Sequence, residues 1–471
     1  MRLRKVSIIG SGLVGSLWAY LLKKEGYEVE VFEKRSDPRL ETLQAGRSIN
    51  LVLTSRALFA LETAGLLEKV LPITVPVYGR RIHPKTGETF FQAYGRDKSE
   101  CNYSVSRAEL NKTLIQECQN IGVKIHFEHA VENINVRAKT LNFNLAKEIK
   151  THNYDLLFAT DGAGSVIRQA LTSKYPKDFK EKTEWLSSGY KELFMPVAGK
   201  SLAPLEKNSL HIWPRATHMM MGLANADDSF TMTLYLPHKN HEYSLENLKT
   251  EPQIKNLFEK EFASAVTYMP NYLKDFQSNP AGMLGTVKIN KWVYEDSIVL
   301  MGDAAHAIVP FFGQGMNLGF EDCTTLLKLL KTNSGYWKHA LDAYDKYQRP
   351  NANAIADMAL ENFHEMSDKV ADTQFQLRKK IEAVVEKEFP DLYRSRYGMI
   401  TYTLIPYQVA QEAGIRQAAF LDTLAEGISD VSQLDLKKAK HILETDFYPW
   451  LKQKGFTTAR YVTGYVLKNS Q

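Results

Sequence analysis

An α/β fold, with a nucleotide-binding part, an antiparallel β-sheet domain set into it and a helical C-terminal region, is predicted by three observations. The chain opens on strand, glycines, helix, strand and acid, in that order. The stretch from about Trp185 to Leu284 reads as an antiparallel meander. The stretch Leu300–Asn317 joins a strand end to a helix start through two glycine turns, and beyond Pro350 the pattern is mostly helical.

The first observation rests on context. Arg4–Ile9 is an apolar run, followed by Gly10, Gly12, Val14 and Gly15 in the string GSGLVG. Leu17, Trp18, Tyr20, Leu21 and Leu22 recur at roughly helical spacing, and Glu28–Phe32 is a second strand ending at Glu33. Such glycines let the backbone approach a pyrophosphate that the helix N-terminus stabilises. An acid about 20 residues on accepts ribose hydroxyls. A lone glycine string would be weak, but all the parts stand in order.

Next, Gly46–Arg56 leads into a helix through Ala57–Ala64, with Arg47 either a phosphate contact or a surface cap. Val77–Tyr94 reads as a hairpin turning at Pro84–Gly87. It brings Arg80 and Tyr94 together as an anion site, since guanidinium forks onto carboxylates, or as paired surface residues. Ser106 is an N-cap with Glu109 three residues on. Arg107 in that first turn opposes the helix dipole, which points either to a nearby anion or to an exposed arginine. Val123–Phe127 and Thr140–Leu145 are strands. Tyr154–Thr160 is a buried strand closed by Asp161 and followed by Gly162, Ala163 and Gly164.

The meander has three strands, Leu210–Trp213, Met219–Ala224 and Phe230–Leu236, whose Met and aromatic residues are either core or the lining of an apolar pocket. The run Ser297–Met301 is a buried strand ended by Gly302 and Asp303. Gly313, Gln314 and Gly315 then open a helix that includes Asn317. A carboxylate at a strand end accepts hydrogen bonds from hydroxyls, and N–H groups at a helix start stabilise negative charge. Beyond Pro350, Ile355, Met358, Ala359, Met366 and Val370 trace an apolar face that also carries Asn362. That Asn either ties helices together or meets a polar ligand. Tyr397, before an apolar run containing Pro406, is an interface residue or a ligand group.

Composition narrows the function. At 471 residues two or three domains are expected. A net charge of +5 without a basic tract gives no reason to expect nucleic acid. Three cysteines without pairing spacing fit a reducing, cytoplasmic setting without disulfides or zinc. His238 and His241 sit in a polar, loop-like string. No signal peptide and no run long enough to span a bilayer is read, so no transmembrane anchor is expected.

The fingerprint, the Asp161 turn and the Gly302-Asp303 strand spread over two-thirds of the chain. That suits the extended cofactor FAD better than a compact NAD domain. The strings GSGLVG, DGAGSVIR and GDAAH together resemble the single-component aromatic hydroxylases among the flavin monooxygenases. GRSINL, SVSRAELN, LHIWPR, GDAAHAIVPFFGQGMNLGFEDC and ENFHEM are similar, more narrowly, to the kynurenine 3-monooxygenase family, over almost the whole chain.

The resemblance implies a Rossmann-like FAD-binding domain of the p-hydroxybenzoate hydroxylase-like kind over 1–75, 104–180 and 286–350. It implies an antiparallel β-sheet substrate domain over 76–103 and 181–285, and a C-terminal helical region over 351–471 that covers the active site. It implies resident FAD, NADPH as transient reductant and O2 as cosubstrate. A C4a-hydroperoxyflavin then hydroxylates L-kynurenine to 3-hydroxy-L-kynurenine, in tryptophan catabolism on the route to quinolinate and NAD. The flavin does the chemistry, so no catalytic acid–base residue and no metal is expected.

Carried over by motif, Arg80 and Tyr94 hold the substrate carboxylate with help from Asn362 and Tyr397. Pro310, Phe311 and Phe312 crowd the ring. Leu210, Met221, Leu223, Thr233 and Tyr235 roof it, and Glu365 and Met366 complete the pocket. The cofactor set is Gly10, Gly12, Val14, Gly15, Glu33, Lys34, Arg35, Val52, Arg107, Asp161, Asp303, Gly313, Gly315, Met316 and Asn317. Arg81 beside Arg80 leaves open which faces inward, with the spacing to His83 and Tyr94 favouring Arg80. Alternation on a strand allows only one of them. The family's animal members carry a C-terminal membrane segment not seen here, so a soluble form is expected, and a homodimer is compatible with it. The rivals are a flavin hydroxylase of another aromatic acid and a non-catalytic binding protein on the FAD fold. A flavin halogenase is disfavoured because no Trp-x-Trp-x-Ile-Pro string is present.

Overall fold

The computed structural model describes residues 5–40, 49–145, 148–199, 203–364 and 373–463. Lys5–Ile9 is buried on both faces and so takes a central place in a parallel sheet. The sheet runs Val293–Tyr294, Ile298–Leu300, Leu156–Ala159, Lys5–Ile9, Glu28–Phe32, Lys124–His126, with only the first strand antiparallel. The register sets Ile9 level with both Phe32 and Ala159, and Ala159 level with Leu300. Gly10, Glu33, Thr160 and Met301 therefore all leave the sheet at one carboxyl edge, the place where open α/β sheets take ligands.

The helix Leu13–Lys24 follows, with Leu17, Trp18 and Leu22 fully buried. It packs on the helices Arg107–Asn120 and Gly315–Thr332. Val14 is the key at that crossing. A Cβ on Gly319 would lie 2.5 Å from its Cγ2, and one on Gly302 would lie 3.0 Å away. The two glycines let the late helix and the Gly302 turn close on the first glycine loop.

A second sheet has seven strands in the order Gly282–Ile289, Glu181–Met195, Phe230–Pro237, His218–Ala224, Ser209–Arg215, Gly79–Ile82, Phe90–Ala93. The meander and the hairpin form as the sequence predicts. The hairpin joins the meander by a parallel pairing of Gly79–Ile82 with Ser209–Arg215, so the sheet is not wholly antiparallel. The long strand Glu181–Met195 slips register between Trp185 and Gly189. One face of this sheet carries Trp213, Met220, Met232 and Leu234 into a core with Leu257, Phe258 and Phe262 of the helices that cover it. The other face is left for the site.

Residues Asn102–Ser106 form a strand of a small third sheet with Asn50–Leu53 and Thr74–Val77. Ser106 then caps the helix Arg107–Asn120, its side chain accepting the Glu109 N–H at 3.4 Å. The C-terminal third is helical, beginning with Trp337–His364. The apolar run after Tyr397 divides into Arg396–Tyr402 and Tyr407–Ala425, with Pro406 capping the second. Arg56 holds that junction. Its buried guanidinium donates to the carbonyls of Ile400, Thr403 and Ile405, pairs with Glu321 at 2.9 Å and stacks 3.8 Å over the Tyr407 ring.

Candidate active site

At the carboxyl edge of the parallel sheet, Gly10 has φ +98°, and a Cβ there would meet the Thr160 carbonyl at 2.7 Å. A Cβ on Gly15 would run into the Gly10 carbonyl, while none of Gly12, Gly162 and Gly164 has an atom close by. The loop is thus tight on the sheet side and open on the outer side. Gly12 gives the helix Leu13–Lys24 no side-chain cap, which leaves its first N–H groups for an anion.

Glu33 is buried and oriented. It accepts the Ser11 N–H at 2.9 Å and the Arg35 N–H at 3.0 Å, and carboxylate lone pairs remain for hydroxyl donors. The Lys34 and Arg35 side chains are exposed beside it. Asp161 accepts the Val166 N–H at 2.8 Å through one oxygen, and its other oxygen is buried without a donor. Burial pushes the Asp161 carboxyl up. Asp303 is exposed at the first turn of Asp303–His306, and the Arg107 side chain is exposed too.

Behind Asp303 lies a buried tether. Asp322 accepts both the Gly302 N–H at 2.9 Å and His306 Nε2 at 2.6 Å. Burial opposes the imidazolium, but Asp322, with Asp303 beyond it, holds the His306 pKa above its usual value. The tether joins the Gly302 turn to the helix Gly315–Thr332. That helix starts after Gly313 at φ +63° and again lacks a side-chain cap. Gln314 is fully buried and accepts the Tyr407 hydroxyl at 2.9 Å.

Asn317 uses its whole side chain internally. It accepts the Thr54 N–H and donates to the Val52 and Gly313 carbonyls, all at 2.8 Å. Its predicted ligand contact therefore narrows to its backbone. Met316 and Val52 are half-buried against the same turn. The open glycine cradle, the donorless Asp161 oxygen and two uncapped helix starts suit an elongated ligand with hydroxyls and phosphates, ending in a ring system at Gly313–Met316. FAD fits that description.

The second sheet meets this edge with its free face. Alternation and register put Arg80, Leu210, Met221, Leu223, Thr233 and Tyr235 on that face. Leu210, Leu223, Met221, Val52 and Tyr94 pack as one apolar cluster, and Tyr235, Met221, Phe311 and Phe312 pack as a second. Arg81 points the other way, pairing with Glu206 at 2.5 Å and lying over Phe91. Arg80 lies 5.2 Å from the Tyr94 ring and donates to its hydroxyl at 3.3 Å. Among the described residues it has no carboxylate partner.

Tyr94 stacks on Tyr397 with ring centroids 5.5 Å apart, and Tyr397 stacks on Phe312 at 6.0 Å. Burial first, then Tyr94, push the Tyr397 phenol above its usual range, so it stays a neutral hydroxyl. Pro310–Phe312 is a short 3₁₀ turn rather than a plain linker. Its Phe311 ring lies 5.5 Å from Tyr235 and 4.6 Å from Phe363. Asn362 donates to the Phe311 carbonyl at 2.9 Å, so it positions the aromatic turn. Glu365 and Met366 lie outside the described residues, as does Arg47.

Residues 4–359 match the model of the FAD binding domain family. A kynurenine 3-monooxygenase of Myxococcus xanthus is 39% identical over 96% of this chain and 98% of its own length. One from Flavobacterium johnsoniae is 39% identical over 89% and 93%. The chain belongs to the kynurenine 3-monooxygenase family. The tetrameric 2-methyl-3-hydroxypyridine-5-carboxylic acid oxygenase shares the fold, at TM-score 0.65 and 20% identity over 83% of this chain and 98% of that one.

In this member of the kynurenine 3-monooxygenase family, the residues singled out in the sequence include most of those described at this edge and on this sheet face. They leave out Asn102, which donates to the Tyr397 hydroxyl at 3.1 Å, and the Gln314–Tyr407 and His306–Asp322 pairs. His306 and Gln314 lie inside the quoted string GDAAHAIVPFFGQGMNLGFEDC, and only their buried partners give them meaning. Asn102 carries no periodic signal at all.

Proposed function

We propose that this protein hydroxylates L-kynurenine to 3-hydroxy-L-kynurenine with FAD, NADPH and O2, in tryptophan catabolism. The observation that carries the reading is Arg80: a cation without a carboxylate partner among the described residues, on the apolar sheet face and flanked by Tyr94 and Tyr397. A small aromatic acid with a carboxylate at one end satisfies both halves of that surface.

In this reading Arg80 and Tyr94 bind the carboxylate and Tyr397 donates its hydroxyl. The aromatic end lies between Pro310–Phe312 and the side chains of Leu210, Met221, Leu223, Thr233 and Tyr235. Bound FAD, reduced by NADPH, would activate O2, one atom of which goes to the ring and the other to water. It is held by Gly10, Gly12, Val14, Gly15, Glu33, Lys34, Arg35, Asp161, Asp303, Arg107 and Val52, with the Gly313–Asn317 backbone at the ring end. The protein's chemical task is orientation and exclusion of water, so that the oxygen reaches the substrate rather than solvent. The chain divides into FAD-binding segments 1–75, 104–180 and 286–350, substrate segments 76–103 and 181–285, and a helical cover from 351. Among the described residues no helix is long and apolar enough to cross a membrane. A cytoplasmic location and a homodimeric assembly complete the proposal.

The test is NADPH oxidation by the FAD-loaded protein. L-kynurenine is expected to accelerate it well above the substrate-free rate. Acceleration by other aromatic acids but not by kynurenine overturns the substrate assignment.

A further inference from the structure

Resting on the kynurenine reading, a second recognition group can be assigned. An amino acid substrate carries an ammonium on the carbon next to its carboxylate, so an acceptor has to lie beside the Arg80 anion site. Glu100, a buried carboxylate two residues before Asn102, is occupied. Arg394 donates to it at 2.7 Å, and Arg96 donates to it through both its side chain and its backbone.

Asn102 is different. It is 6% exposed and begins the strand Asn102–Ser106, paired with Val77 three residues before Arg80. Its amide N–H donates to the Tyr397 hydroxyl at 3.1 Å, and its carbonyl oxygen is buried with no donor among the described residues. The run Arg80, Tyr94, Tyr397, Asn102 thus leads from a cation to an acceptor through contacting side chains. The Thr401 hydroxyl lies against that of Tyr397, and the buried Tyr402 hydroxyl has no partner among the described residues. A hydroxyl can donate or accept, whereas an amide oxygen only accepts, so the Asn102 atom is the one that requires an outside donor.

We propose that the Asn102 side-chain oxygen accepts a hydrogen bond from the substrate's α-ammonium and so makes the site selective for an amino acid over a plain carboxylic acid. A neutral amide suits the place. A carboxylate there would compete for Arg80 and repel the substrate's own carboxylate. The donation to Tyr397 also leaves the phenol proton free to point at that carboxylate, so one side chain serves both ends of the zwitterion.

The test compares L-kynurenine with its des-amino analogue 4-(2-aminophenyl)-4-oxobutanoate, each titrated into FAD-loaded protein and read by the flavin absorbance change. The wild type is expected to prefer kynurenine by about tenfold, the size of one good hydrogen bond. Asn102→Leu is expected to abolish the preference, and Asn102→Ala to do the same if the larger side chain is not accommodated, with retained flavin as the check of folding. Tyr397→Phe is expected to weaken both ligands in parallel. A preference that survives loss of the Asn102 amide overturns this assignment alone. A wild type that binds neither ligand overturns the kynurenine reading and the assignment with it.

Discussion

At the residue scale, two adjacent arginines separate by one property of a strand. Arg80 shares a face with the apolar site, and Arg81 pairs with Glu206 on the other. Arg80→Ala is expected to weaken kynurenine binding about 10- to 100-fold, the range of hydrogen bonds to a charged group, with FAD retained. Arg81→Ala is expected to change it by less than about threefold, because an exposed ion pair contributes little. Equal effects in a flavin-absorbance titration would reject the face assignment. The sequence narrows this choice through strand alternation and the spacing to Tyr94, but only the pairing with Ser209–Arg215 fixes the inward face. Asn102 was not legible at all, since its partner Tyr397 lies 295 residues away.

At the element scale, the Gly302 turn and the helix Gly315–Thr332 act as one piece through Asp322. Asp322→Ala strands the buried His306 Nε2 and the Gly302 N–H, and a broken buried pair costs about 3–5 kcal/mol. The expected outcome is a clear fall in melting temperature together with release of FAD, seen as a rise in free-flavin fluorescence. A variant that melts like the wild type and keeps its flavin removes the tether from the account.

The second sheet carries a pH-sensitive pair on its back. His211 Nε2 lies 2.8 Å from the Glu206 carbonyl and must donate, so His211 Nδ1 accepts from His83 Nε2 at 2.9 Å. Burial, then His211 and the Arg81 and Arg215 cations, hold His83 down to about 4 from 6.5. A histidine pKa lowered by folding means the unfolded chain takes the proton first. Stability from this group is complete above pH 6.5 and declines as pH falls toward about 4. His218, also held to about 4 chiefly by burial, contributes with the same sign. The melting temperature is expected to drop between pH 7 and pH 5, less steeply in His83→Gln, and an unchanged slope in that variant would contradict the assignment. Elements were legible where their pattern was regular. The opening strand–helix–strand, the hairpin and the meander strands were readable. The strand Glu181–Met195 was not, because its bulge and partly exposed first half break the two-residue alternation. The helices between Glu251 and Ser278 were also passed over.

At the scale of the whole molecule, two sheets built on different rules meet at one edge. In the proposed reading, the parallel sheet offers its carboxyl ends to a nucleotide and the second sheet offers one face to an aromatic acid. The helical third is locked over them by Arg56 and by the Tyr407–Gln314 bond. Two-thirds of this was legible because glycine spacing and strand-end carboxylates carry their chemistry locally. The closure was not, since it rests on one buried arginine reaching three carbonyls more than 340 residues away. The most direct measurement is to identify the product after the FAD-loaded protein is incubated with L-kynurenine, NADPH and O2. The account predicts a single product one oxygen atom heavier than kynurenine that co-elutes with 3-hydroxy-L-kynurenine. Unchanged kynurenine, or oxygen placed at another ring position, would contradict it.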